Sequence, residues 1–179
     1  MSRTHDTLEQ LLLSGHVTAP TRRVLEERLH RTFERRFFSE AEFRVLQAAA
    51  ARLVPHDPAH LNLAGVVDDR LAEDRTDGWR YADTPPDPQA MRDLLAALPA
   101  DFTGLEGPAQ DRHLQDLERR FPHPFEDLLA ELTEGYYSHP AVQLALGYVG
   151  FADAPGWTRI GLNEAERREL AFPGPRDTP

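Results

Sequence analysis

Fifteen prolines are spread along a chain of 179 residues, and almost every one stands where a helix would begin or has just ended. Inside a helix, proline removes a backbone hydrogen bond and collides with the preceding turn, whereas in the first turn its fixed φ already suits the helix. Pro20, Pro88, Pro108, Pro124 and Pro140 therefore read as openers, and Pro55 and Pro99 as stops. The segments between them repeat apolar residues three and four apart. Leu8, Leu11 and Leu12 mark a short helix ending at Gly15, a residue suited to the left-handed position past a helix end. Val24, Leu25, Leu29 and Phe33 form the next stripe. Ser39-Glu40-Ala41-Glu42 is a capping box, with Phe38 and Phe43 placed to staple the entry of a helix that carries Leu46, Ala50, Leu53 and Val54 inward. Leu63, Val66, Val67 and Leu71 follow, then Met91, Leu94, Leu95 and Leu98 behind an Asp87 cap, then Leu114, Leu117 and Phe121. Phe125, Leu128, Leu129, Leu132 and Tyr136 make the seventh stripe, and Asn163-Glu164-Ala165-Glu166 caps a small terminal helix.

No stretch alternates apolar and polar residues as a half-buried strand would, and no Asn-Gly hairpin signal occurs. The expectation is an all-α, single-domain, irregular bundle of about seven to nine helices with long aromatic-bearing loops. Residues 1–36 form an N-terminal helical arm, 37–160 the helical core, and 161–179 a short terminal helix and frayed tail. A chain of this length buries roughly 70% of the surface its unfolded form exposes, so it needs no covalent staple.

Composition narrows the function. Cysteine is absent and the 20 basic residues are all arginine, which removes thiolate and lysine chemistry. Thirty carboxylates give a net charge of −10, the wrong sign for a nucleic-acid binder. No apolar run approaches the roughly 20 residues of a membrane span. Arg35-Arg36-Phe37-Phe38 resembles a twin-arginine export start, but Glu40, Glu42, Arg44 and Arg52 interrupt the apolar segment such a signal needs. We expect no nucleic-acid partner, no membrane insertion and a cytoplasmic protein.

Candidate chemistry is sparse. His56 and His60 are four apart with Pro58 between them, which breaks the helix that would set both on one face. Glu27-Arg28-Leu29-His30 is a lone Glu-x-x-His where a di-iron bundle needs two. Ser14-Gly15-His16 lacks the preceding strand of a nucleophile elbow. Asp68-Asp69 and the Glu131/Glu134 face read as solvated helix surface. No catalytic, cofactor-binding or metal-binding residue is expected, and no cofactor.

Large rings collect instead in loops and at helix ends: Trp79 and Tyr81 in a stretch from about Arg75 to Asp87, Tyr136 and Tyr137 before His139-Pro140, and Tyr148 and Trp157 in a second glycine-aromatic cluster. Each such ring buries about 150–250 Å² when it finds a surface. Tyr136 shares a stripe with Phe125, Leu129 and Leu132 and belongs to the core; Trp79, Tyr81, Tyr137, Tyr148 and Trp157 are the candidates for binding a partner.

Several of these landmarks resemble one family. Phe37-Phe38, Ala51-Arg52-Leu53-Val54-Pro55, Leu63-Ala64-Gly65-Val66-Val67-Asp68-Asp69-Arg70-Leu71, Asp77-Gly78-Trp79-Arg80-Tyr81, Pro85-Pro86-Asp87, Phe125 through Tyr136-Tyr137-Ser138-His139-Pro140, and Leu146-Gly147-Tyr148 are similar to the gluconate 2-dehydrogenase subunit 3 family. The resemblance implies a non-catalytic helical small subunit. Its partner would be a flavin-dependent large subunit of the glucose-methanol-choline type, oxidising a sugar or sugar acid, which it helps to fold, stay soluble or mature. Two departures stand out: the twin-arginine signal of membrane-linked members is missing, and Ala141-Val142-Gln143 replaces their Gly-Gly-Asn. The alternative reading is a stand-alone helical protein holding a metal or small ligand between helices. A self-associating structural protein is a third.

Overall fold

Eight α-helices and one 3-10 turn make up the regular structure of the described residues: α1 (Ser2–Leu13), α2 (Ala19–His30), α3 (Glu40–Leu53), α4 (Leu63–Ala72), α5 (Asp87–Ala96), the 3-10 turn Phe102–Gly104, α6 (Gly107–Arg120), α7 (Pro122–Tyr137) and α8 (Pro140–Ala145). The structure is a computed structural model and describes residues 2–75, 78, 81, 84–148, 150 and 153, with side chains from residue 8 onward. The all-helical expectation holds, with no strand among the described residues. Proline lies in the first two positions of α2, α5, α6 and α8. α7 begins earlier than Pro124 alone suggests, at Pro122, so that both prolines fall in its first turn, where their missing N–H costs nothing.

The chain divides into two compact units, Met1–Arg31 with Tyr137–Pro179, and Thr32–Tyr136. In the second unit, α3 packs against α4, α5, α6 and the 3-10 turn. Its core includes Phe38, Leu46, Leu63, Leu94, Phe102, Leu117, Leu128 and Leu132, all fully buried. Each such side chain contributes about 1.5–3 kcal/mol by leaving water. The capping box forms as read: Ser39 Oγ accepts from the Glu42 N–H at 3.3 Å, and the Ser39 N–H donates to Glu42 Oε2 at 2.7 Å. Hydrogen bonding from the Ser39 side chain, then from the Ser39 N–H, holds the Glu42 carboxyl below its ordinary range. Phe38 before the cap is buried, and Phe43 is half-buried against the same core.

The first unit has a smaller core of Leu8, Leu11, Leu12, Val17 and Leu25, flanked by Leu29, Ala141 and Leu144. Both α1 and α2 pack on α8. The α2 stripe differs from expectation. Val24 is 40% exposed, and the helix stops at His30 with Arg31 extended, so Phe33 lies outside it. Gly15 is not left-handed; α1 ends with the Ser14 hydroxyl donating to the Leu11 carbonyl at 2.6 Å.

The start of α2 is held from a distance. Thr18 occupies the N-cap without capping its own helix. Its N–H donates to Asp153 Oδ1 at 2.7 Å, and its hydroxyl and that of Thr21 both donate to Asp153 Oδ2 at 2.7 Å. The Thr18 N–H, then the Thr18 hydroxyl, outweigh partial burial, and the Thr21 hydroxyl adds to them; together they pull the Asp153 carboxyl down to about 2. A carboxylate at a helix N-terminus also meets the positive end of the helix dipole.

Candidate interaction surface

The largest departure from the sequence reading is the acidic pair of α4. Asp68 is fully buried and Asp69 nearly so, where solvated helix surface was expected. Asp68 Oδ2 accepts from the Arg36 N–H at 2.6 Å, Oδ1 accepts from the Phe38 N–H at 2.9 Å, and the Phe37 N–H lies 3.2 Å from both oxygens. Three successive backbone N–H groups thus close around one carboxylate. This pins the chain entering α3 and seats Phe38 in the core. Asp69 takes the guanidinium of Arg36 and, at 3.1 Å, that of Arg75. Arg70, next along, bridges Asp87 of α5 and Glu131 of α7, each at 2.9 Å. Asp87 is the first residue of α5, one past the N-cap position held by Pro86, so it does not cap the helix as expected; its carboxylate serves Arg70. Glu131 is half-buried, not solvated, and burial raises its pKa despite Arg70, with Glu134 and Asp87 adding to the rise. Glu134 remains exposed as read. One signal for Asp68 was available: it follows Ala64 by four and precedes Leu71 by three, on the buried stripe of its own helix.

Of the rings proposed for partner binding, Trp79 and Trp157 lie outside the described residues. Tyr81 is half-buried in the second unit. Its ring stacks on His123 at 3.5 Å between centroids and 18° between planes, and its hydroxyl donates to Glu126 Oε2 at 3.3 Å. The Glu126 charge, followed by burial, raises the Tyr81 pKa. Tyr81 therefore covers the first turn of α7.

Tyr137 and Tyr148 belong to the first unit and are 56% and 55% exposed. Tyr136, one residue earlier, packs partly buried against the core; a step of about 100° around α7 takes Tyr137 to the other side. Tyr148 is aimed by the end of α8. The Gly147 N–H donates to the Leu144 carbonyl at 2.9 Å and the Tyr148 N–H to the Gln143 carbonyl at 2.8 Å, with Gly147 left-handed at φ 76°. This is a Schellman closure, and it requires a residue without Cβ at 147. Leu146, at the C-cap, is 52% exposed. An aromatic and an aliphatic side chain are thus presented together by one helix end.

Among the described residues, no three His, Asp or Glu side chains come close enough to hold a metal. His56 Nδ1 meets its neighbour carbonyl of Val54 at 2.6 Å, and His60 pairs with Asp57 at 2.9 Å. No helix among them is long and apolar enough to cross a membrane. The buried carboxylates are engaged within the fold, and the exposed large apolar side chains among the described residues are both aromatic and aliphatic: Tyr137, Tyr148, Leu13, Val24 and Leu146.

Comparisons with curated proteins and with solved structures return no match. Among protein families, the one described as Gluconate 2-dehydrogenase subunit 3 matches residues 40–156. That span runs from Glu40, the first residue of α3, through Asp68, α7, the Schellman closure and Asp153. The chain belongs to the gluconate 2-dehydrogenase subunit 3 family.

Proposed function

We propose that the chain is a non-catalytic accessory subunit of a larger flavin-dependent oxidoreductase of the glucose-methanol-choline type, acting on a sugar or sugar acid. It binds the large subunit and supports its folding, solubility or maturation. The observation that carries this reading is the family match across residues 40–156, since the family is named for one subunit of a dehydrogenase. The exposed Tyr137, Leu146 and Tyr148 lie in that matched segment and supply the rings and aliphatic surface on which interfaces concentrate their binding energy.

The test is purification of the tagged chain from its natural host. A larger flavin-bearing chain co-purifies in stoichiometric amount and oxidises sugars or sugar acids with an artificial acceptor. After dissociation, the small chain alone shows no flavin absorbance and no turnover. Turnover by the isolated chain, or a partner without flavin, contradicts the proposal.

A further inference from the structure

A groove of about 380 Å³ opens on the first unit between α2 and the segment after α8. Arg23, Val24 and Arg28 line it from α2, with Gln143 and Tyr148 opposite. Two of the apolar side chains lining it are unusually wet: Val24 is 40% and Tyr148 55% exposed. Its rim is cationic on a chain whose net charge is −10. Arg28 makes no ion pair among the described residues, and Arg23 has only a 3.9 Å approach to Glu27, both side chains being well exposed. Among the described residues, Glu27 directly precedes Arg28, and Asp153 is already engaged by Thr18 and Thr21. A guanidinium without a counter-ion beside exposed apolar surface matches a ligand that brings a carboxylate and a large apolar side chain together.

We propose that this groove seats a segment of the oxidoreductase partner carrying an acidic residue next to a leucine or aromatic residue. The inference rests on the accessory-subunit reading. The volume accommodates one or two side chains of such a segment, at the lower end of the range for small-ligand pockets. Arg28 pairs with the carboxylate, Val24 and Tyr148 cover the apolar side chain, and the Gln143 amide is available to the segment's backbone. A second copy of this chain is a poorer occupant, because two whole chains of net charge −10 repel one another on approach.

The probes are two short fluorescein-labelled peptides with a Leu-Phe centre, one flanked by Asp and Glu and the other by Lys, measured by fluorescence anisotropy against the full chain. The acidic peptide binds at least about tenfold more tightly than the basic one, and the preference narrows as salt rises. Arg28→Glu abolishes or reverses the preference, and Val24→Asp weakens the acidic peptide, while both variants keep the wild-type melting temperature. Absence of binding by the acidic peptide, equal binding of both, or an Arg28→Glu variant that keeps the preference would overturn the proposal. So would a concentration-dependent dimer that Val24→Asp abolishes, which would assign the groove to a second copy. Should Arg28→Glu lose the peptide yet retain the flavoprotein in full amount, the groove assignment falls and the proposed function stands. Should the peptide preference hold while the co-purifying partner lacks flavin, the proposed function falls instead.

Discussion

Replacing Asp68, a fully buried side chain, with alanine strips the acceptor from the part-buried N–H groups of Arg36 and Phe37 and the buried one of Phe38. Hydrogen bonds to a charged group are worth about 1.5–3 kcal/mol, and each buried donor left unpaired adds its own desolvation cost. Asp68→Ala should lower stability by at least about 3 kcal/mol, a large share of the roughly 5–15 kcal/mol of an ordinary domain. A denaturant midpoint close to wild type would disprove the clasp. Two glycines give a paired test of close packing. A Cβ at Gly65 would stand 2.5 Å from Phe33 Cβ and 2.7 Å from Asn62 Nδ2, while one at Gly15 meets nothing within 4 Å. Gly65→Ala should cost about 1–3 kcal/mol through overpacking, despite the better helix propensity of alanine. Gly15→Ala should be neutral or stabilise by up to about 1 kcal/mol. Equal melting temperatures for the two variants would contradict the packing at α4. Asp68 shows why residue-level reading failed here: charge type argued for solvent, and only its place on the helix stripe argued for burial.

At the scale of elements, helix existence was readable because apolar spacing agreed with capping chemistry at α3 and with proline punctuation at α6 and α7. Where they disagreed, tertiary contacts decided. Asp87 stands one residue past the N-cap and pairs with Arg70, and Thr18, at the N-cap of α2, gives its hydroxyl proton to Asp153, 135 residues away in sequence. No local pattern encodes a bond across that separation. The Asp153 clamp has a definite pH signature. Its folded pKa is depressed, from the ordinary 3.8 to about 2, so its stabilising contribution is fully present above the ordinary value and is lost as pH falls through the folded one. In NMR-monitored acidification, the Thr18 amide should titrate with a midpoint near 2 and lose that response in Asp153→Asn. A midpoint near 3.8 would show that the three donors do not hold the carboxylate.

For the whole molecule, the division of labour among the described rings was not legible in the sequence. Tyr81 turned toward His123 and Glu126 because α7 offers it a ring and a carboxylate; Tyr137 and Tyr148 stayed out because helix rotation and the Gly147 closure carry them away from the core. Family membership agrees with the motifs that suggested it, most of which fall within the matched residues 40–156. The central claim, that this chain works by binding a larger oxidoreductase through exposed rings, is tested most directly by the double variant Tyr137→Ala/Tyr148→Ala. Two quantities are compared with wild type: the melting temperature of the isolated chain and the amount of flavoprotein that co-purifies from the natural host. The account predicts a melting temperature within about 2 °C of wild type, since exposed rings contribute little to folding, together with at least about a tenfold loss of partner. A variant that retains its partner in full, or one that loses it only because the chain itself has unfolded, would contradict it.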